Sequence, residues 1–147
     1  MNMINNFYET ALNYCNFISK TDICSNTAKE YMEILMRLYI AALNLPEVEP
    51  DTVDSINTNY CRDNVKVKDS IYYWEVFDPF ECNAPVGCTV YEDIISIAED
   101  IQIGIREYEA GRINNAAYEW RFGLDSHYGR HLVDCLRALH FLRTKEE

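Results

Sequence analysis

Residues that break regular structure are scarce in this sequence, which has 5 glycines and 4 prolines among 147 residues. Together they make up about 6% of the chain, roughly half the usual share. The four prolines all lie between positions 46 and 85, and the stretches on either side contain none. Because turn-rich β folds need many glycines and prolines, their scarcity favours helices on both sides of an irregular middle.

Basic residues are also scarce. The 13 Lys and Arg residues stand against 24 Asp and Glu residues, which gives a formal net charge of −11 and a pI near 4.6. A field of this sign repels nucleic-acid phosphates and anionic lipid surfaces, so we expect neither nucleic acid nor a membrane as the partner. The acid excess is typical of a soluble surface, and it also suits a partner with a basic surface.

The sequence shows neither a secretory signal nor a membrane span. The first 20 residues contain Glu9 and several asparagines instead of a basic start followed by an apolar run. The apolar run at 34–43 is interrupted by Arg37 and is shorter than the roughly 18 residues that a span requires. We therefore expect a cytoplasmic protein whose six cysteines, none of them in a Cys-x-x-Cys pair, remain reduced.

Apolar residues recur at steps of three and four along both proline-free stretches, which predicts amphipathic helices. The predicted helices cover about residues 4–18, 27–44, 89–110 and 114–142. Thr27 and Thr89 each precede a glutamate by three positions, the spacing of a capping box, and Gly123 and Gly129 mark places where the last helix can bend. We predict an all-α fold, a four- to five-helix bundle with mostly antiparallel neighbours, in a single domain over residues 1–147.

The middle of the chain, residues 45–88, is predicted to be an irregular connector. Weak alternation of polar and apolar residues over 53–73 leaves room for a short helix ending at Tyr72 or Tyr73. The sequence Tyr-Trp-Glu-Val-Phe-Asp-Pro-Phe at 73–80 then places four aromatic residues ahead of a loop, and such segments usually pack over a core. We expect an irregular aromatic segment around 73–88, in which Trp74 and Phe77 are buried and Asp78 accepts a bond from a backbone N–H or an arginine.

Three carboxylates lie seven residues apart on the predicted helix over 89–110, at positions 93, 100 and 107. This spacing places them in one stripe beside the apolar face of the helix. We expect the stripe to form ion pairs with arginines of the last segment, at positions 121, 130 and 137.

Motifs of known catalytic chemistry are missing, namely G-x-S-x-G, the P-loop and G-x-G-x-x-G. The one arrangement with metal-ligand spacing is His127-x3-His131, with Asp134 three residues further on. A zinc-like ion there needs another ligand from a second helix, for which Asp93 and Asp100 are the best placed. The other interpretation is structural, and it predicts that His131 is partly covered and hydrogen-bonded to a carboxylate or a backbone oxygen.

Several motifs resemble one family of short, acidic, helical proteins from Bacteroidetes-type bacteria. They are Leu-Pro at 45–46, Trp-Glu-Val-Phe-Asp-Pro at 74–79, the Thr89 cap with acids at 92 and 93, Trp-Arg-Phe at 120–122, and a glycine and a histidine ahead of Leu-Arg-Ala-Leu-His at 136–140. The family is catalogued as domain of unknown function number five thousand and sixty-three. The resemblance spans about residues 30–142 and implies an all-helical fold without implying an activity. It departs at His127 and Tyr128, where the family has other aromatic residues, and this weakens a metal site built on His127.

Our leading interpretation is a helical protein without catalytic activity or cofactor that acts by binding another protein. The side chains expected at its binding surface are Trp74, Glu75, Asp78, Trp120 and Arg137. The alternative is a metal-dependent helical-bundle enzyme whose C-terminal His-x3-His binds a divalent ion such as zinc. Damage-inducible bundles of that outline carry a third histidine on an early helix, whereas this chain has none before residue 127. Binding of a small molecule between the helices is a third interpretation.

Overall fold

The computed structural model describes residues 2–54, 56, 60, 62–66 and 71–145. The described residues form five α-helices, which confirms the prediction of an all-α bundle. The helices are α1 (Met3–Lys20), α2 (Ala28–Leu43), α3 (Val90–Glu109), α4 (Ile113–Gly123) and α5 (Gly129–Arg143). A short 3-10 turn covers Arg62–Asn64, and two strands, β1 (Tyr72–Glu75) and β2 (Val86–Thr89), precede α3. Within the described ranges, every helix is too short or too polar to cross a membrane.

The helix starts agree with the capping prediction at one position and not at the other. The Thr89 hydroxyl accepts the N–H of Glu92 at 3.1 Å, as expected at the start of α3, although the Glu92 carboxylate pairs with Arg62 instead of returning to the cap. The capping box predicted at Thr27 does not form. The Thr27 hydroxyl donates to the carbonyl of Asp22 and accepts the N–H of Cys24, so it orders the preceding turn instead of the helix end.

Helix α3 lies at the centre of the bundle and packs against α1, α4 and α5. Trp120 of α4 is fully buried there, with its ring centroid 4.6 Å from that of Phe7. The indole N–H donates to the carbonyl of Ile101 at 2.9 Å. A Cβ at Gly104 would come within 2.2 Å of the Trp120 ring, so the glycine makes room for the indole on α3. The prediction that Trp120 belongs to an exposed binding surface is therefore wrong.

The aromatic segment is more regular than predicted. Strands β1 and β2 pair antiparallel in the register Tyr72↔Thr89 to Glu75↔Val86. The segment predicted to be irregular is therefore a β-hairpin, with an irregular loop between its two strands. Tyr72 starts a strand, and the helix predicted to end there is wrong at that position. The rest of that prediction falls partly on residues 55, 57–59, 61 and 67–70, outside the described residues. Tyrosine, tryptophan, valine and threonine favour strands once a partner strand is available.

The α-helical pattern of the C-terminal segment is interrupted between its two glycines, where a bend or break was predicted. Helix α4 ends at Gly123, a π-helical turn covers Leu124–Tyr128, and α5 begins at Gly129. A Cβ at Gly129 would meet the carbonyl oxygen of Leu124 at 2.2 Å, so the wider turn requires a glycine at this position. His127 lies within this π turn, and its side chain contacts Asp100 of α3.

Candidate functional site

The hairpin places its residues on two faces with different surroundings. Tyr73 and Glu75 face the helices, whereas Trp74 is 72% exposed on the outer face. Phe77, in the loop that follows, is 64% exposed. The prediction that Trp74 and Phe77 are buried is therefore wrong, because side chains alternate along a strand and only one face of this hairpin rests on the bundle.

An open cleft of about 1060 Å³ lies between the hairpin loop and α5, and we call it the aromatic groove. The hairpin side is strongly apolar, and Phe80 at the tip of the loop is 97% exposed. The opposite side consists of α5, the start of the π turn and the end of α2. The apolar side chains that line the groove include Trp74, Val76, Phe77, Phe80, Tyr39, Leu43, Leu124 and Val133.

Charged side chains ring this apolar surface. The guanidinium carbon of Arg130 lies 4.2 Å from the centre of the Phe77 ring, a cation–π contact that joins the loop to α5. Arg137 lies about two helical turns further along the same wall. The acidic side chains that line the groove among the described residues are Glu75, Glu81, Asp125 and Asp134. Among the described residues, acidic side chains that line the groove therefore outnumber basic ones.

Asp78 lies beside the groove and organises the loop. Its carboxylate accepts the N–H of Phe80 at 2.9 Å, and its carbonyl accepts the N–H of Glu81 at 3.1 Å. This confirms the prediction that Asp78, held extended by Pro79, bonds a backbone N–H. Asp78 thus acts on loop conformation, while the exposed aromatic rings supply the surface.

Glu75 of β1 and Asp134 of α5 form a carboxyl pair at the floor of the groove. Burial, followed by the hydrogen bond and the charge of Glu75, raises the pKa of Asp134 to about 7. The Oε2 atom of Glu75 is buried and has no hydrogen-bond partner among the described residues. A protonated Asp134 carboxyl can donate a hydrogen bond to Glu75. Asp134 therefore pairs with Glu75 instead of joining the two histidines, as the metal alternative had expected.

Cys88 of β2 lies next to this pair. Burial, followed by a hydrogen bond with Glu75, raises the pKa of its thiol to about 12. The thiol therefore stays protonated at neutral pH and is a poor nucleophile. Cys15, Cys82 and Cys135 also carry free thiols, and Cys61 lies outside the described residues. The Ser126 hydroxyl donates to the carbonyl of Phe122, which does not activate it as a nucleophile.

Two histidine–aspartate pairs lie between α3 and the C-terminal segment, and none of the four residues lines the aromatic groove. Nδ1 of His127 lies 2.7 Å from Oδ2 of Asp100, and Nδ1 of His131 lies 2.8 Å from Oδ1 of Asp93. The two Nε2 atoms face each other at 3.3 Å. Tyr73 of β1 donates its hydroxyl proton to Oδ2 of Asp93. We call His127 and His131 the histidine pair.

The surroundings of the histidine pair confirm the prediction that His131 is partly covered and bonded to a carboxylate, since its side chain is 19% exposed. Burial raises the pKa values of Asp93 and Asp100. The hydrogen bonds from the histidines lower these pKa values, but the effect of burial is larger. The expected ion pairs between this stripe and Arg121, Arg130 and Arg137 do not form. Glu107, the third carboxylate, pairs with Arg112 at 2.7 Å. Within the described residues, no group of three or more His, Cys, Asp and Glu side chains has the arrangement of a metal site.

Comparisons with known proteins agree with this architecture. The model of the family described as "Domain of unknown function (DUF5063)" matches residues 1–145. The crystal structure of protein BF1032 from Bacteroides fragilis, a structural-genomics target, superposes with a TM-score of 0.75. It shares 22% sequence identity, and the superposition covers 99% of this chain and 94% of that one, which shows a common fold. No protein among those with curated functions matches the sequence.

Proposed function

We propose that this chain, which belongs to the DUF5063 family, acts by binding another protein through the aromatic groove. The occupant we propose is a positively charged segment of the partner with apolar anchor residues. The observation that carries this proposal is the exposure of Trp74 on β1 and of Phe77 and Phe80 on the loop that follows, beside an open groove. The family and the fold comparison supply the architecture, and the function is inferred from the surface.

Exposed aromatic residues of this size are unfavourable in water and are usually scattered singly on monomeric proteins. Here they are contiguous along the hairpin and its loop, with Val76 and Val86 also exposed beside them. Aromatic side chains and arginine are the residue types that contribute most binding energy at protein interfaces. Trp74, Phe77 and Arg130 together match that composition.

The loop is ordered before any partner arrives. Asp78 caps the turn at Phe80, and Arg130 packs on the Phe77 ring. Across the hairpin, the ring of Trp74 lies over Gly87, 3.7 Å from the position of a Cβ at that glycine. A surface held in place in this way loses little conformational entropy on binding, which favours affinity.

Charge selects the kind of partner. The chain carries a net charge of −11, and acidic side chains outnumber arginines around the groove. A segment with lysine or arginine is therefore attracted to the opening, whereas an acidic segment is repelled. Arg130 and Arg137 are positioned to pair with a backbone carbonyl or an isolated carboxylate of the partner. We propose that this binding takes place in the cytoplasm, where the thiols of the chain stay reduced.

Selection of random twelve-residue peptides displayed on phage tests this proposal, with the full chain as bait. We expect the recovered peptides to combine Lys or Arg with aromatic or aliphatic residues, and to lose binding to the double variant Phe77→Ala/Phe80→Ala. The matched control is Ile40→Ala, which removes an exposed apolar side chain from α2 outside the groove. Absence of enrichment, enrichment of acidic peptides, or equal loss of binding in the control variant would contradict the proposal.

A further inference from the structure

The histidine pair leaves two nitrogen atoms that face each other with no carboxylate between them. A carboxylate only accepts hydrogen bonds, so the contacts of Asp100 and Asp93 place a proton on Nδ1 of each ring. The Nε2 atom of a neutral ring protonated at Nδ1 carries a lone pair. His127 and His131 thus bring their two Nε2 atoms within 3.3 Å of each other, a separation that suits either a shared proton or one metal ion bound to both nitrogens.

We propose that the histidine pair binds one divalent transition-metal ion of the zinc class through the two Nε2 atoms. Zinc binds imidazole nitrogen at about 2.0 to 2.1 Å in tetrahedral geometry, so two such ligands lie about 3.3 Å apart. This is the separation observed between the two Nε2 atoms. Nitrogen ligands of this kind suit zinc, cobalt, nickel or copper, whereas magnesium and calcium bind oxygen.

The carboxylates behind the histidines fit this assignment. Metal-binding histidines usually donate the second ring N–H to a carboxylate, which fixes the tautomer and the ring orientation. Asp100 does this for His127 and Asp93 does it for His131, at 2.7 and 2.8 Å. Tyr73 holds the second oxygen of Asp93, so hairpin, α3 and α5 all position the inner imidazole. These aspartates are positioning residues, and they lie on the far side of the rings from the proposed ion.

Solvent reaches the site from one side. The His127 side chain is 48% exposed and that of His131 is 19% exposed. An ion held by the two rings therefore has its remaining positions open to water or to a small ligand. Neither histidine lines the aromatic groove, so the two proposals rest on different side chains.

Calorimetric titration of the chelator-treated, dialysed chain with zinc chloride tests the proposal. We expect one equivalent to bind and the thermal midpoint to rise in the presence of zinc, because an ion that binds only the folded chain stabilises it by mass action. His127→Gln should weaken binding at least tenfold. It should leave the far-UV spectrum and the metal-free melting temperature unchanged, because His127 is half exposed. Magnesium chloride should give no binding heat.

Two further variants separate a built site from surface histidines. His140→Gln is the matched control, because His140 is an exposed histidine of the same helix whose ring packs on Phe141. It should leave zinc affinity unchanged. Asp100→Asn removes the carboxylate behind His127 and should weaken binding by about 10- to 100-fold.

Three results would overturn the proposal. One is zinc binding that His127→Gln and His131→Gln leave unchanged, and another is an equal loss of affinity in His140→Gln. The third is an ¹⁵N–¹H spectrum recorded with excess zinc in which a proton remains shared between the two Nε2 atoms. That spectrum would show that a proton, and not a metal ion, joins the two rings. Phe77→Ala/Phe80→Ala should leave zinc binding unchanged, which separates this proposal from the groove.

Discussion

Arg130 of α5 packs its guanidinium group on the ring of Phe77, with the guanidinium carbon 4.2 Å from the ring centre. This contact joins the hairpin loop to the opposite wall of the aromatic groove. The loop carries the exposed rings on which the proposed function depends. The conformation of the loop is therefore stabilised in part by Arg130 from helix α5.

Arg130→Gln removes the cation–π contact and leaves a shorter, uncharged polar side chain. We expect a loss of global stability of about 0.5 to 1 kcal/mol, the usual size of such a contact at an exposed site. We expect a larger local effect, in which amide hydrogen exchange over residues 76–85 becomes faster. Exchange in α3 should not change. Unchanged exchange in the loop would show that Arg130 does not hold it.

The two tryptophans should respond oppositely to truncation. Trp120→Ala removes a fully buried ring and its hydrogen bond to Ile101, and should lower the free energy of unfolding by about 3 to 5 kcal/mol. Trp74→Ala should change it by less than about 1 kcal/mol, because the ring is mostly exposed. Urea unfolding monitored by circular dichroism measures both. A large loss in Trp74→Ala would show that the hairpin is part of the core.

The carboxyl pair predicts a pH-dependent contribution to stability. The pKa of Asp134 is about 7 in the folded chain against an ordinary value of 3.8, so the folded state holds this proton more tightly than the unfolded state. The contribution is present at low pH and is lost as pH rises from about 4 through 7. Asp134→Asn lacks this titration. Its stability relative to the wild type should therefore increase with pH.

Urea unfolding at pH 5.5 and pH 8.5 measures this difference. We expect the advantage of Asp134→Asn to be larger at the higher pH, by about 1 kcal/mol, a value reduced for partial solvent screening. Asp125→Asn is the control, because Asp125 lines the same groove and is largely exposed. A stability difference between Asp134→Asn and the wild type that does not vary with pH would contradict a proton shared with Glu75.

The parts of the fold that were predictable from the sequence are local in origin. Helical spacing and the Thr89 cap depend on residues within one turn, and the π turn between Gly123 and Gly129 depends on backbone space. The hairpin could not be predicted in the same way, because each of its strands has only four residues and their register depends on cross-strand pairing. The exposure of Trp74 follows from that pairing.

The candidate sites were predictable only in part. The spacing of Asp93 and Asp100 along α3 and of the two histidines along the C-terminal segment was visible in the sequence. That these aspartates pair with histidines instead of arginines depends on how α5 packs against α3, which no local pattern shows. Asp134 shares the histidine stripe by spacing, yet it pairs with Glu75 from a distant strand. Tyr73 was not identified because no local pattern joins it to Asp93.

The most direct test of groove binding is the dissociation constant of a selected basic peptide, measured by tryptophan fluorescence. The chain has two tryptophans, and Trp74 is the exposed one, so emission changes caused by binding in the groove report on it. We predict that Phe77→Ala/Phe80→Ala binds the peptide at least tenfold more weakly than the wild type, whereas Ile40→Ala binds within twofold. Equal affinity for all three proteins would contradict the proposal that the aromatic groove is the binding site.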